Sequence, residues 1–473
     1  MTESTTVRPE VTTPAGQRRG GPRPGPVLAL LLLGQFMAIL DVNIVNVALP
    51  TLRTDLAASG SGLQLVVAGY IIAFAVLLIT GARLGRLHGH RRAFLAGAAV
   101  FTLASLACGL APGTWWLVVF RFLQGAGGAL MSPQVMSMIQ HTFTGAARGR
   151  ALGWYAAVTS VGVVVGQVAG GLLVSADLFG SGWRSVFLVN VPIGVLLLVF
   201  GPRVLPADEG GRDAGLDLPG LLVLTPAVLL FATPLILGHD LDWPAWGWVS
   251  LATGVALLGV FAAVERGVAA RGGSPLVSGR MLRAPGLVLA LGVLLCGPNS
   301  WASFLFTATL HLQGDLEMTP LQSGLAFVPC VTTFALTGMV WSRLPQRWHR
   351  WMIPAGYLLA AAGYACLGPL GGGGIPYEAL TAAIGLGLGV MSIVMAKALQ
   401  HVPPDTAADA SGLMLTVMQL GQVVGVATIG TLFLTLARDS GSTGHAEYAT
   451  GWALSALCLV GTVLAVLLAR RTR

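Results

Sequence analysis

The sequence predicts an all-α integral membrane protein of fourteen transmembrane helices, organised as two six-helix pseudo-repeats with two helices inserted between them. Three observations point there. Fourteen apolar runs follow one another along the chain, each of roughly 20 residues, the length a helix needs to cross a hydrocarbon core about 30 Å thick with its backbone groups paired internally. Charged residues make up 10% of the 473 residues and hydrophobic ones 55%, against about 25% charged in an ordinary soluble domain. If the amino terminus is cytoplasmic, only Arg53, Arg184 and Arg438 fall in outer loops, while the inner segments hold Arg83, Arg86, Arg91, Arg92, Arg148, Arg150, Arg343, Arg347, Arg350 and the other loop cations. Basic loops resist translocation, so the asymmetry implies an even helix count with both termini cytoplasmic.

Residues 1–26 are polar, rich in glycine and proline, and lead into the first apolar run without a small-residue cleavage site. They read as a disordered cytoplasmic tail rather than a signal peptide. An amino-terminal six-helix bundle then fills 27–205, with helices over 27–49, 62–82, 93–111, 115–140, 150–175 and 185–205. Two inserted helices, 217–238 and 244–264, lie with their flanking loops in 206–285. The carboxy-terminal six-helix bundle takes 286–473, with helices over 286–310, 321–342, 350–370, 375–400, 408–436 and 447–469. The two bundles read as repeats because GARLGRLHGHRRAFLAG has a counterpart in VWSRLPQRWHRWMIPAG, and GVVVGQVAGG one in LGQVVGVATIG. Parallel six-helix repeats are how many secondary transporters build halves that rock about a central site.

Composition also narrows the function. A net charge of +8 would suggest nucleic acid in a soluble protein, but here the basic residues sit beside helix ends and report orientation. The five cysteines, Cys108, Cys296, Cys330, Cys366 and Cys458, lie in apolar runs without paired spacing or a histidine cluster, so neither a disulfide nor a metal is indicated. No cofactor is expected. An intramembrane hydrolase would need a nucleophile with its base, or paired acids at depth, and a sensor would carry a soluble domain; the chain shows neither, so it is not expected to be an enzyme. The expected partners are a small-molecule substrate, protons and the lipid bilayer of the cell membrane, with the protein a monomer.

Asp41, in GQFMAILDVNIVNVALP, falls about 21 Å along the first helix at 1.5 Å per residue. An acid at that depth is expensive to ionise, and it can load and release a proton as water access or its partner changes. A structural hydrogen bond to a neighbouring helix is the competing explanation. Arg121, in VVFRFLQGAGGALMSP, lies about 9 Å below the outer end of the fourth helix. It stays protonated and needs a carboxylate, carbonyls or water, with Asp41 as the obvious partner and outward snorkelling as the alternative. At 100° per residue, Arg121, Gly125, Gly128 and Ser132 share one face with Gln124 at its edge, so small residues clear space beside the charge. On the first helix Gln35, Asn43 and Asn46 cluster opposite Asp41, so the four cannot all line one cavity.

Gly162, Gly166 and Gly170, with Gly171 adjacent, form a strip in the fifth helix that lets another helix approach closely, as do Gly421 with Gly425 and Gly385 with Gly389. Tyr70, Phe74, Trp301, Phe304 and Phe306 could line an apolar drug pocket, though aromatics in helices are more often packing residues or interface anchors. His311, Asp315 and Glu317 could relay protons near the outer end of the ninth helix, with a solvated loop edge as the simpler expectation.

Together these stretches resemble the fourteen-helix drug:proton antiporter branch of the major facilitator superfamily, over nearly the whole chain. LDVNIVNVALP looks like the branch's helix 1 motif through Asp41, Asn46, Ala48 and Pro50, with Asn43 where threonine is usual. RFLQGAGGALMSP looks like the helix 4 motif through Arg121, Gln124, Gly125 and Gly127. GQVAGG is similar to the helix 5 antiporter motif, with Gln167 in place of the usual proline, and WRSVFLVNVPIG resembles the start of helix 6 through Trp183, Arg184, Phe187, Asn190, Pro192 and Gly194. The resemblance implies export of amphipathic antibiotics or other toxic small organic molecules against inward proton flow, by alternating access, with Asp41 and Arg121 in coupling. Uptake of a small metabolite on the same fold is the alternative. The cytoplasmic gate loop GARLGRLHGHRR, carrying Gly85, Arg86, Gly89, Arg91 and Arg92, departs from the family, which has an acid where Arg86 stands. Asp405 or Asp409, ahead of helix 13, would restore the attraction with the charges exchanged.

Overall fold

The computed structural model describes residues 24–177, 180–207, 218–237, 241, 244–270, 282, 284–400, 402 and 407–471. Among them every regular element is helical. The first, α1 (Pro24–Asp55), starts on a proline and carries Pro50 near its far end. In α2 (Gly60–His88) the Ser59 hydroxyl caps the start, accepting the Gly62 N–H at 3.1 Å. Gly89 ends α2 and begins α3 (His90–Gly109) at once: its φ is 102°, and its N–H bonds back to the Gly85 carbonyl at 2.9 Å. That backbone region is strained for any residue with a Cβ, so the tight corner of the gate loop requires glycine. Next come α4 (Thr114–Thr142) and α5 (Gly145–Ala176).

The sixth stretch is broken into a 3-10 turn (Gly182–Arg184), α6 (Ser185–Leu188) and α7 (Asn190–Val204). After α8 (Leu218–Leu237), α9 (Ala245–Ala270) and α10 (Leu287–Gln313) comes α11 (Pro320–Ala326), opened by a Thr319/Gln322 capping box. The chain continues through α12 (Val328–Val340), a 3-10 turn (Trp341–Arg343), α13 (Gln346–Ala365) and α14 (Leu367–Leu370). It closes with α15 (Gly374–Leu388), α16 (Met391–Gln400), α17 (Ala407–Ser440) and α18 (Thr443–Arg471). Where the sequence reads single helices over 185–205, 321–342 and 350–370, the structure interrupts them at Val189, Phe327 and Cys366. Each break precedes a proline, Pro192, Pro329 or Pro369, whose ring clashes with the carbonyl four residues back and which donates no hydrogen bond.

Among the described residues, eleven helical stretches are long and apolar enough to cross a membrane, against the fourteen expected. The difference has three sources. The α4 helix carries Arg121, Gln124 and Gln134 in its length, α13 opens with the polar run QRWHRW, and the apolar part of α8 covers only Leu222–Leu237. Exposed tryptophans mark both ends of the bundle: Trp115, Trp116, Trp246 and Trp248 at the starts of α4 and α9, and Trp348 and Trp351 at the start of α13. Amphipathic indoles at helix ends fit the two water interfaces of a bilayer.

Buried apolar residues gather in two clusters. One is built mainly on α1–α7, with Phe94, Phe101, Trp183 and Phe187 fully enclosed, and the other on α10–α18, around Phe304, Phe327, Tyr357 and Tyr364. Both described termini lie at one end of the bundle, the terminal end; the α1–α2 and α17–α18 turns lie at the other, the distal end. Contacts between the two groups of helices run from the distal end inward. Gln64 of α2 donates to the Thr431 hydroxyl of α17 at 3.1 Å, Gln313 of α10 to the Val47 carbonyl of α1 at 3.0 Å, and Leu321 N–H of α11 to the Ser175 hydroxyl of α5 at 3.2 Å. Nearer the terminal end, Gly149 and Gly153 of α5 have nothing within 4 Å of a would-be Cβ. The α8 helix packs on both α2 and α17, beside this seam, and α9 packs on α8.

Outside the spans, the Asp315 carboxylate ties the α10 end to the α18 start. It accepts the Gly444 N–H and the Ser442 hydroxyl, both at 2.8 Å. Slight burial pushes this carboxyl up, but the hydrogen bonds from Gly444, Thr443 and Ser442 outweigh it and hold it at about 2.

Two tests follow from this packing. A Cβ on Gly166 would meet Asn43 Cβ at 2.8 Å inside the first cluster, whereas one on Gly171 would meet Leu321 Cα at 2.7 Å across the seam. Gly171→Leu should therefore lengthen the distance between spin labels in the α1–α2 and α17–α18 turns, measured by double electron–electron resonance. Gly166→Leu should instead lower thermal stability in detergent. An unchanged distance in Gly171→Leu would show that the seam is not held there. Asp315→Ala should cost about 0.5–1 kcal/mol at neutral pH, the low end for a helix-start acceptor because the group is exposed. A depressed carboxyl contributes above its unfolded value of 3.8 and loses that contribution as pH falls through about 2. The stability gap between wild type and Asp315→Ala, read by thermal melts, should thus narrow between those pH values.

Candidate functional site

An ion pair is enclosed among the helices of the first cluster. Arg121 of α4 turns into the bundle, 1% exposed, and places Nη1 2.5 Å from Oδ2 of Asp41 on α1, which has no exposed surface. The snorkelling alternative is thereby removed. The same Nη1 donates to Gln124 Oε1 at 2.8 Å, and Nε donates to the Val66 carbonyl of α2 at 3.0 Å. Gln124, one turn along α4 and so on the same face, donates from Nε2 to Asp41 Oδ1 at 2.7 Å and to the Ser105 hydroxyl of α3 at 2.8 Å. The Cys108 thiol points at Gln124 Oε1, 3.8 Å away. Asn190, the first residue of α7, donates a further hydrogen bond to Asp41 Oδ1 at 2.8 Å. The guanidinium lies 4.5 Å from the Tyr70 ring centroid and 5.8 Å from that of Phe187.

The glycines of α4 explain how so many helices converge. A Cβ on Gly125 would run into the Tyr70 backbone, and one on Gly128 into the Tyr70 hydroxyl, so both admit α2 and bring Val66 and Tyr70 to the arginine. The space that the sequence leaves open beside the charge is filled by α2. Gly127 faces Gly97 and Phe101 of α3 in the same way, which draws Ser105 and Cys108 up to Gln124. The charges are thus removed from water, and their mutual attraction and hydrogen bonds must offset a desolvation cost of several kcal/mol per ion. Chemically, the site is a carboxylate that can exchange its guanidinium partner for a proton.

The remaining candidates divide by position. Asn43 and Asn46 turn away from Asp41, donating to the carbonyls of Ile39 at 2.8 Å and Val42 at 3.3 Å, and Asn43 lies against Gly166 of α5. Pro50 lies toward the distal end of α1, partly buried. Gly162, Gly166 and Gly170 face Ile39, Leu40, Asn43 and Ile44 of α1, whereas Gly171 faces Pro320 and Leu321 of α11. Gln167 is fully buried between them, and neither polar atom of its side chain has a hydrogen-bond partner.

In the gate loop, Gly85 packs on Gln134 of α4, whose Oε1 meets His90 Nδ1 at 2.8 Å and whose Nε2 donates to the Gly81 carbonyl at 2.8 Å. Arg91 donates to the Pro202 carbonyl at 2.6 Å, and Arg86 and Arg92 are exposed. The pairing expected for Arg86 lies outside the described residues, since Asp405 and the side chain of Asp409 are not among them.

Tyr70 packs under Arg121, and Phe304 and Phe306 are fully buried, Phe304 edge-on to Phe327 and Tyr364, the packing role that aromatics in helices more often take. One expectation is corrected. Of the residues expected at a solvated loop edge, Asp315 and Glu317 are exposed, but His311 is buried. The Thr443 hydroxyl at 3.0 Å and the Gly371 carbonyl at 3.1 Å meet its two ring nitrogens. Sequence reasoning did not place Ser105, Cys108 or Val66 at the site. A serine, a thiol and a backbone carbonyl in apolar helices carry no signal until the helices are packed. Asn190 stood in the helix 6 stretch without a role, and its amide ahead of Pro192 in an apolar run was the available clue.

Residues 31–426 match the model of the Major Facilitator Superfamily. The chain is 38% identical over 441 residues to a probable actinorhodin transporter of Streptomyces coelicolor, covering 89% of this chain and 75% of that one. It is 36% identical to a cephamycin export protein of Amycolatopsis lactamdurans, covering 93% and 91%, and 32% identical to a multidrug resistance protein of Mycobacterium tuberculosis, covering 85% and 74%. Among solved structures, an auto-inhibited POT family peptide transporter superposes with a TM-score of 0.68 at 16% identity, over 95% of this chain and 98% of that one. A bacterial homologue of the human lysosomal transporter Spinster gives 0.66 at 16% identity, over 94% and 97%. With a family match across most of its length and a fold shared at such low identity, the chain belongs to the Major Facilitator Superfamily.

Proposed function

We propose that this protein exports amphipathic antibiotics or other toxic small organic molecules across the cell membrane, driven by inward proton flow. The observation that carries the coupling is the buried Asp41–Arg121 pair with its Gln124 and Asn190 donors. The relatives at 32–38% identity, an actinorhodin transporter, a cephamycin exporter and a multidrug resistance protein, support the direction and the substrate class. Uptake of a small metabolite is the second reading, favoured only by a fold that solved peptide transporters share.

In this reading α4, α8 and α13 cross the membrane with the eleven apolar stretches, giving fourteen crossings with both termini cytoplasmic. The bundles 27–205 and 286–473 are the two moving halves, and 206–285 supplies the inserted helices. The distal end is then the outer face. Contacts such as Gln64–Thr431 and Gln313–Val47 close that face, the arrangement of an inward-facing carrier. Asp41 and Arg121 neutralise one another here, out of reach of water. A proton reaching Asp41 from outside removes the negative charge, Arg121 loses its partner, and the helices that meet at the pair are freed to move against one another. Release of the proton to the cytoplasm restores the pair, so each cycle is tied to one protonation of this carboxyl.

The direct test uses everted vesicles energised with a proton gradient, following the recovery of quenched fluorescence as candidate compounds are added. Wild type should show compound-dependent proton release; nutrient accumulation without it would favour uptake. Asp41→Asn should abolish the coupled signal, at least tenfold, while Asp41→Glu retains part of it. If the Asn variant, checked for folding by size-exclusion profile, still exports against a gradient, Asp41 is structural. Asn190→Ala removes one hydrogen bond to the charged carboxylate, worth about 1.5–3 kcal/mol. The pH profile of transport should therefore move toward alkaline pH by about one to two units, since one unit corresponds to about 1.4 kcal/mol. An unmoved profile would separate Asn190 from the proton site.

A further inference from the structure

A second carboxyl is enclosed in the carboxy-terminal helices, and its surroundings are the reverse of those at Asp41. Glu447, in the second turn of α18, is 1% exposed, and neither of its oxygens is hydrogen-bonded. The Tyr377 hydroxyl of α15 is likewise buried and unpartnered. The Thr307 hydroxyl of α10 lies beside the carboxyl, and Tyr364 of α13 and Tyr377 lie within reach of its charge. Cys330 of α12 and Cys458 farther along α18 lie by those two tyrosines, and His311 of α10, with Asp315 in the turn beyond, meets the start of α18 at Thr443. His311 is held by the Thr443 hydroxyl and the Gly371 carbonyl, and the Asp41–Arg121 ion pair lies in the other cluster of helices. A carboxylate with no cation beside it and only the Thr307 hydroxyl at hand is what an apolar interior tolerates least; the protonated acid carries no charge to answer.

The nearest opening lies on the distal face. A cleft of about 450 Å³ opens there, lined among others by Glu317, Gln322, Leu325, Tyr377 and Glu378. The two acids at this cleft draw cations, hydronium included. Tyr377 belongs to both places: it lines the cleft and lies close to Glu447.

We propose that Glu447 is a second proton-carrying carboxyl of this transporter, loaded from the distal face through the cleft that Tyr377 lines. This rests on the proton-coupled reading above. Loading transfers a proton from hydronium to the carboxylate and leaves water and a neutral acid. Release reverses the step when the site gains water on the other side, and the nearby N-terminal end of α18 then favours the anion.

Two measurements test the assignment. A hydrophobic carbodiimide adds to protonated buried carboxyls, so dicyclohexylcarbodiimide should label wild type at Glu447, mapped by peptide mass, and Tyr377→Phe should slow the labelling severalfold. In everted vesicles, Glu447→Gln should still export but release about one proton fewer per molecule than wild type, with Glu447→Asp restoring the ratio. Failure to label Glu447 at any pH from 5 to 8, or an unchanged ratio in a transporting Glu447→Gln variant, would overturn the proposal. Wild type that labels at Glu447 but moves no protons with drug would instead sink the exporter reading, and the coupling role with it.

Discussion

A carboxylate and a guanidinium buried in a helical bundle at membrane depth constrain everything packed around them. Neither ion tolerates isolation there, so Asp41 and Arg121 must meet, and their remaining hydrogen-bonding capacity must be met by neighbours. The protein answers with five residues on four helices: Gln124 on both ions, Asn190 on the acid, Val66 on the arginine, and Ser105 and Cys108 behind the glutamine. Arrangement of α1, α2, α3, α4 and α7 about one point is therefore an electrostatic requirement as much as a packing outcome.

Glycines make that convergence possible. Gly125 and Gly128 bring α2 close, Gly127 with Gly97 brings α3 close, and Gly162, Gly166 and Gly170 bring α5 against α1. In a bilayer little hydrophobic force drives one helix onto another, so close backbone approach and interhelical hydrogen bonds must hold the bundle. The same device recurs where the halves meet: Gly171 lies against Pro320, and Gly324 against the Gln167 carbonyl. One glycine-rich stretch of α5 thus serves both the fixed contact within a half and the contact across the seam, on opposite faces.

The two buried acids illustrate two ways of keeping a carboxyl away from water. Asp41 is surrounded by donors and a cation, which suit its charged form; Glu447 has no cation beside it and only the Thr307 hydroxyl near it, which suits a neutral one. An antiporter needs carboxyls that change state between conformations, and a pair held in opposite states within one conformation is a consistent arrangement for that purpose.

The sequence by itself determined the helical class, the membrane, the arginine asymmetry and the two residues of the ion pair, because these depend on run length, composition and the cost of a charge in hydrocarbon. It also marked the glycine strip of α5, since spacing by four is visible without coordinates. The tertiary structure decided what spacing cannot express: that Arg121 turns inward, that Asn190, Ser105 and Val66 complete the site, that His311 is enclosed, and that proline breaks at Val189, Phe327 and Cys366 divide expected helices. Glu447 stood at the boundary of a predicted helix, where an acid ordinarily means solvent. Its burial follows from helices α10, α13 and α15 closing over it, contacts between residues distant in the chain, which no local pattern records.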